Sequence, residues 1–95
     1  MTQLVWAPQA IRDVEAIRAH VAGDSAHYAD LVVERLVAAV ERLQNHPRSG
    51  PVVPELVDDS IREVIHGNYR IVYRLRDDAV EIATVFHGAR SFRLD

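Results

Sequence analysis

Ninety-five residues suffice for one folded domain but not for two, and 48% hydrophobic with 26% charged residues excludes a disordered chain. No cysteine occurs, which excludes a disulfide framework, a thiolate nucleophile and a cysteine-ligated zinc site. No apolar stretch reaches the length of a membrane span and no signal-peptide pattern begins the sequence. We therefore expect a single domain, residues 1–95, in the cytoplasm.

The N-terminal segment is predicted to form a strand followed by a helix. Residues 3–7 are a short apolar run of the kind that forms a buried strand. Pro8 suits the first turn of a helix because its missing N–H would have had no partner there. Apolar residues then recur every three or four positions up to Val21, which predicts a one-faced helix. Gly23 is predicted to end this helix in the left-handed conformation.

A second helix is predicted after Gly23, with either Asp24 or Ser25 as its N-cap. Because the connection between the helices is so short, they should form an antiparallel hairpin. Pro47 is expected to stop the second helix, and residues 48–60, here called the crossing loop, are rich in Gly, Pro and polar residues. The apolar stripe of the second helix consists of Ala29, Val32, Val33, Leu36, Ala39, Val40 and Leu43.

The last third of the chain has the two-residue period of β-strands. Strands are predicted over residues 61–66, 69–76 and 80–87. Turns are predicted at residues 67–68 and 77–78, where Gly-Asn and Asp-Asp separate the strands. The sequence does not decide which side of the first of these strands faces the core, since neither of its two alternating sets of residues is clearly the apolar one.

The order of elements predicts an α+β domain with one sheet. It consists of an N-terminal strand, an antiparallel two-helix hairpin covering one face, and a three-stranded antiparallel meander. A two-residue turn would place Arg74 opposite Glu81, which is a favourable charge pair. The second face of the sheet is expected to be less covered and to display Arg70, Val72, Arg74, Glu81, Val85 and His87.

Charge is distributed unevenly along the chain. The formal net charge is −3, and all eleven basic residues are arginine. Residues 1–59 hold five Arg against nine Asp and Glu, whereas residues 60–95 hold six Arg against five. We therefore expect any contact with an anionic partner on the C-terminal third.

Several short motifs run along the chain, and the most specific are the strand with the sequence YRIVYR and the strand that ends in HGAR. The motifs are residues 43–47 (LQNHP), Gly50, 54–56 (PEL), 61–64 (IREV), 69–74 (YRIVYR) and 87–90 (HGAR). Together they resemble the RelE/ParE toxins of type II toxin-antitoxin systems, and the ParE branch more closely. The resemblance covers nearly the whole chain.

The resemblance implies a cognate antitoxin that wraps the toxin, and one of two activities. One branch of the family inhibits DNA gyrase by binding the enzyme, and the other cleaves messenger RNA on the ribosome. In the nuclease branch, Arg70 matches an arginine that contacts the scissile phosphate. Glu55 and His87 fall where some nucleases keep a general base and a general acid.

The nuclease branch matches this chain less well. Lysine is absent, Gly88 stands where other nucleases carry a tyrosine, and Phe92 lacks a hydroxyl. An acidic chain is also poorly matched to the phosphate-lined ribosomal A site. We therefore expect a gyrase inhibitor with no catalytic residues of its own. A ribosome-dependent nuclease is the alternative, and a non-toxic antitoxin-binding module is the second alternative.

No cofactor is expected, and no metal site, because His66 and His87 lack a third ligand at a suitable spacing. The partners are expected to be the antitoxin and gyrase, or the ribosome and messenger RNA in the alternative, with DNA reached only through the antitoxin complex and no membrane contact. The predicted target-binding residues are Arg62, Arg70, Arg74, His87, Arg90, Phe92 and Arg93.

Overall fold

A computed structural model of the chain describes residues 2–89, and within them the predicted order of elements is confirmed. A single turn of 3-10 helix, Arg42–Gln44, follows the second helix. No helix in these residues is both long and apolar enough to cross a membrane. The elements are β1 (Gln3–Trp6), α1 (Pro8–Ala22), α2 (Ala26–Glu41), β2 (Ile61–His66), β3 (Tyr69–Leu75) and β4 (Ala79–His87).

The helices are joined by three residues, and the geometry of this connection corrects one prediction. Ser25 is the N-cap of α2: it is extended, and its hydroxyl oxygen accepts a hydrogen bond from the Tyr28 N–H at 3.1 Å. Gly23 has φ −59° and ψ −30°, so the predicted left-handed conformation is wrong. The chain reverses instead through a right-handed turn, in which the N–H groups of Asp24 and Ser25 both donate to the Val21 carbonyl.

Most of the apolar stripe of α2 lies in the core, as its spacing predicts. Five predicted residues of α2 are buried, and Leu43 continues the stripe from the 3-10 turn with 1% of its surface exposed. The tighter 3-10 turn ends the helix three residues before Pro47. The five buried residues are Ala29, Val32, Leu36, Ala39 and Val40.

The four strands form one mixed sheet in the order β1-β4-β3-β2. β1 pairs in parallel with the first part of β4, and β2, β3 and β4 form the predicted antiparallel meander. Both predicted turns are present, and Gly67 adopts φ +59°, which favours glycine. Arg74 lies opposite Glu81, as expected from a two-residue turn.

A β-bulge in β4 reverses part of the predicted side-chain alternation. Val72 pairs with Thr84, but Tyr73 pairs with Ile82, so Ala83 is an extra residue in β4. An extra residue exchanges the faces on which the following side chains lie. The expectation that Val85 and His87 share the second face with Arg70 is therefore wrong.

The bulge also changes which β4 residues form the core beneath the helices. Val85 packs there with Ile71 and Tyr73. Phe86, predicted to share a face with Ile82, instead packs with Val72 on the second face.

The second face of the sheet is covered by the crossing loop, which corrects the expectation of an open face. Val53 of this loop is fully buried against Val72 and Phe86. The Val53 N–H donates to the Ile61 carbonyl at 3.1 Å, so the loop also lies along the outer edge of β2. The sheet is thus sandwiched between the helix hairpin and the crossing loop.

Candidate functional site

Arg70 lies at the centre of a charged cluster on the second face, although sequence alone places it on an open surface. Only 10% of its side chain is exposed. It pairs across the sheet with Phe86, and its Cζ lies 5.3 Å from the centroid of the Phe86 ring. This distance is within the range of a cation–π contact. We call Glu55, Glu63, Arg70 and Phe86 the Arg70 cluster.

Two carboxylates bind the Arg70 guanidinium. Its Nη1 and Nη2 donate to the two carboxylate oxygens of Glu55 at 2.7 and 2.8 Å, which is the bidentate geometry of strong charge-assisted pairs. Its Nε donates to Glu63 Oε1 at 2.7 Å, and Nη2 lies 2.6 Å from the same oxygen. Every nitrogen of the guanidinium is therefore already bound to a carboxylate.

The electrostatics of the Arg70 cluster favour a charged arginine and disfavour an added anion. The hydrogen bonds with Glu55 are the largest cause that raises the pKa of Arg70, and Glu63 adds to this effect against the desolvation that lowers it. Because two carboxylates surround one guanidinium, a phosphate brought here would meet a net negative charge and compete with Glu55 for the same N–H groups.

His87 lies at the end of β4, and its side chain is not part of the Arg70 cluster. It pairs with Tyr69, and the two rings make an edge contact with centroids 6.0 Å apart. Its Nδ1 accepts a hydrogen bond from the Ala89 N–H at 3.1 Å. Tyr69 packs against the core beneath the helices. The structure therefore brings Glu55 and Arg70 together and places His87 on the other face of the sheet.

On its own face, His87 lines a cavity of about 430 Å³ between α1 and β4. Asp13 and His20 of α1 line it as well. The Asp13 carboxylate is already engaged, because its Oδ2 accepts hydrogen bonds from the Thr84 hydroxyl at 2.5 Å and from the Val85 N–H at 3.0 Å. Within residues 2–89 no group of three or more potential ligands could hold a metal ion.

The other predicted contact residues differ in their accessibility. Arg62 is 13% exposed and is bound to the crossing loop, donating to the carbonyl oxygens of Asp59 and Gly50 at 3.1 Å. Arg74 is 32% exposed, and its Nη1 lies 3.8 Å from Glu81 Oε1. Arg74 is thus the more accessible of the two. The predicted residues Arg90, Phe92 and Arg93 lie outside the described residues.

Two contacts that build this region were not predicted from the sequence. Glu63 is the buried partner of Arg70. The turn at residues 67–68 pairs Ile65 with Arg70, and Glu63 lies two residues before Ile65, on the same face of the sheet. The strand register could therefore have indicated that Glu63 lies near Arg70. Tyr73 is fully buried, and its hydroxyl oxygen accepts a hydrogen bond from the Gly50 N–H at 3.0 Å. A Cβ at Gly50 would overlap the Glu63 carbonyl, so only glycine fits there. No local pattern predicts this long-range contact.

The sequence of the chain is similar to those of known toxins. Residues 4–92 match the family described as the ParE toxin of the type II toxin-antitoxin system parDE. The chain is 33% identical over 91 residues to Toxin RelE2 of Caulobacter vibrioides, which covers 95% of this chain and 99% of that protein. It is 37% identical over 85 residues to Putative toxin Y4kP of Sinorhizobium fredii, covering 87% and 84% of the two chains.

Comparison with solved structures supports the fold. A chain of the chromosomal ParDE toxin-antitoxin system from P. aeruginosa superposes with a TM-score of 0.76 at 22% identity, over 92% of this chain and 96% of that one. A chain of the RelBE2 toxin-antitoxin complex from Mycobacterium tuberculosis gives a TM-score of 0.66 at 20% identity, over 90% and 96%. At these identities the likeness concerns the architecture alone.

Proposed function

Because the chain belongs to the ParE toxin family of type II toxin-antitoxin systems, we propose that it inhibits DNA gyrase by binding the enzyme. A cognate antitoxin neutralises it, as the toxin-antitoxin origin of the structurally similar chains supports. Growth inhibition in the cytoplasm is part of this proposal. Such a toxin traps its target and requires no active site of its own.

The proposal is supported above all by the hydrogen bonds of the Arg70 guanidinium. In the alternative nuclease mechanism this arginine would bind the scissile phosphate, but its guanidinium nitrogens already donate to Glu55 and Glu63. His87, the candidate general acid, lies on the opposite face of the sheet. The three residues do not surround one position where a phosphate could react, and this favours binding over catalysis.

The target contacts are part of the same proposal. Arg74 is accessible at the sheet surface, and we assign it to the target interface together with the terminal arginines Arg90 and Arg93. His87 and Phe92 complete the proposed contact set, to which Arg62 and Arg70 contribute by fixing the crossing loop.

A comparison of two reactions tests the proposal. The chain, purified from its antitoxin, is added to gyrase with relaxed plasmid and, separately, to ribosomes programmed with messenger RNA. We expect loss of supercoiling or accumulation of cleaved DNA, no cleavage of messenger RNA, and reversal by the antitoxin. Cleavage in the ribosomal A site without an effect on gyrase would establish the nuclease alternative. No effect in either reaction at large molar excess, with unaffected growth on expression, would indicate a non-toxic antitoxin-binding module.

A further inference from the structure

Five residues on one side of α2 repeat with the spacing of a helix-packing seam. They are Tyr28, Leu31, Arg35, Ala38 and Arg42, which we call the α2 flank. Alternating steps of three and four residues place all five on one line along the helix. Arg42 keeps helical angles, φ −60° and ψ −24°, so the line continues past the end of α2. The α2 flank spans about 21 Å at the usual helical rise.

The α2 flank is accessible and lies outside the core. Tyr28 is 52% exposed, and Arg35, Ala38 and Arg42 are exposed as well. Leu31 is half-buried, and within residues 2–89 it packs against neither apolar cluster. A tyrosine, a leucine and an alanine in line on an exposed helix form a surface against which another helix can pack.

The two arginines of the α2 flank have no acidic partner. Six of the nine arginines in residues 2–89 form ion pairs with carboxylates. Arg12 donates to Gln9 Oε1 at 3.1 Å, whereas Arg35 and Arg42 form neither an ion pair nor a side-chain hydrogen bond in this part of the chain. The sequence explains this difference, because Leu, Val, Ala, Asn and His occupy the positions three and four residues away from these two arginines.

The carboxylates of α2 itself lie elsewhere on the helix. Asp30, Glu34 and Glu41 follow one another at steps of four and seven residues, so they form a separate line about 100° around the helix. Asp30 forms an ion pair with Arg18 of α1, so this acidic line borders α1. The α2 flank is therefore a basic and partly apolar surface on a chain whose formal net charge is −3.

This combination of charge and shape indicates what binds there. A symmetric contact between two copies of the α2 flank is disfavoured, because it would bring arginines against arginines. Nucleic acid is disfavoured, because two cations among three uncharged residues reach few phosphates. An amphipathic helix of a second protein is complementary, with apolar residues against Leu31 and Ala38 and with carboxylates seven residues apart against the two arginines.

We infer that the α2 flank is the docking site for an acidic amphipathic helix of the cognate antitoxin. The inference rests on the proposed function, which includes neutralisation by an antitoxin. Arg74, the accessible residue of the proposed target interface, pairs with Ile61 on the second face of the sheet, whereas α2 packs on the opposite face. A target bound at Arg74 would not cover the α2 flank, which is thus left for the second partner.

The test compares Arg35→Glu with Arg12→Glu. Both arginines are exposed on a helix without an ion pair, and both substitutions change the net charge equally, but Arg12 lies on α1. Antitoxin binding at low and high salt, thermal unfolding and inhibition of gyrase are measured for both variants. We expect Arg35→Glu to weaken antitoxin binding about tenfold or more at low salt, and less at high salt because the loss is electrostatic. Arg12→Glu should weaken it less than about twofold, and both variants should keep the wild-type melting temperature and gyrase inhibition.

Other outcomes separate this inference from the proposed function. Antitoxin binding that is weakened equally by the two substitutions, or by neither, would overturn the inference. Loss of gyrase inhibition in Arg35→Glu with unchanged antitoxin binding would also overturn it, as would a toxin dimer that dissociates in this variant. Inhibition of gyrase by the wild-type chain is measured without the antitoxin, so failure of the proposed target is seen independently. A wild-type chain that inhibits gyrase but does not bind the antitoxin overturns the inference alone.

Discussion

Arg70 matches the phosphate-binding arginine of the nuclease branch in sequence, but in the structure it holds the crossing loop to the sheet. Its guanidinium is shared between Glu55, which belongs to the crossing loop, and Glu63, which belongs to β2 and is 8% exposed. A buried carboxylate that loses its cation is costly because neither water nor another charge replaces it. Arg70 thus joins the loop to the sheet.

We predict that Arg70→Ala lowers the free energy of unfolding by about 3–5 kcal/mol, because it leaves Glu63 buried without its cation. Urea denaturation measures this change. Arg74→Ala is the matched control, since the Arg74–Glu81 pair is partly exposed and should contribute at most about 1 kcal/mol. If Arg70→Ala is as stable as the wild type, Arg70 is not the structural link described and is available to bind a ligand.

Loss of toxicity in an Arg70 variant can result from loss of stability as well as from loss of a functional contact. An Arg70 variant that fails to inhibit growth could do so because it unfolds, so such a result alone would not support a nuclease mechanism. The stability of the variant has to be measured beside its activity. Sequence could identify Arg70 by its motif, but its bond to Glu55 joins residues 15 apart through a loop with no periodicity.

At the scale of elements, local chemistry predicted most of the architecture. The strand order within the meander and the Arg74–Glu81 pairing follow from turns and spacing. The sequence limited the N-cap of α2 to Asp24 or Ser25, and the structure has Ser25. The bulge at Ala83 could not be predicted, because no glycine or proline marks it and the apolar pattern of β4 is acceptable on either face. The path of the crossing loop was missed for a related reason, since its burial depends on distant residues.

Because β1 ends at Trp6, the later part of β4 has no strand partner on that side, and α1 makes contacts there instead. β1 pairs with β4 only as far as Ile82. Beyond the bulge, the Val85 N–H donates to Asp13 Oδ2 at 3.0 Å, and the Thr84 hydroxyl donates to the same oxygen. Asp13 therefore acts as the hydrogen-bond partner that a longer β1 would have supplied.

We predict that Asp13→Ala lowers the free energy of unfolding by about 1–3 kcal/mol, because the part-buried Thr84 hydroxyl and Val85 N–H lose their acceptor. Hydrogen exchange at the Val85 amide should also become faster. Glu15→Ala, at an exposed position of the same helix, should change stability by less than about 0.5 kcal/mol. Unchanged exchange at Val85 in Asp13→Ala would show that the edge of β4 does not depend on this contact.

At the scale of the whole molecule, the sheet separates two apolar clusters, and Tyr73 links them. Its ring packs in the cluster beneath the helices, while its hydroxyl binds the Gly50 backbone in the crossing loop. The loop that covers the second face is thus attached to the main core by this buried phenol, in addition to its bonds with Arg62 and Arg70. A change that weakens the bond between Tyr73 and Gly50 should therefore affect both the stability of the core and the position of the crossing loop.

We predict that the link through Tyr73 weakens at alkaline pH. Burial is the main cause that raises the pKa of Tyr73 above the usual value of about 10. A raised pKa in the folded state means that the stabilisation is complete below the pKa of the unfolded chain and is lost as the pH rises through the folded value. Wild-type stability should therefore fall above about pH 10.

Tyr73→Phe isolates this effect, because the variant cannot ionise at this position. At pH 7 it should be less stable than the wild type by about 1–3 kcal/mol, since the Gly50 N–H loses its acceptor. The difference should shrink as the pH rises above about 10, because only the wild type pays the cost of ionising a buried phenol. Tyr28→Phe, at a 52% exposed position, should follow the wild-type curve. Parallel curves for wild type and Tyr73→Phe from pH 7 to the alkaline limit would contradict the buried link.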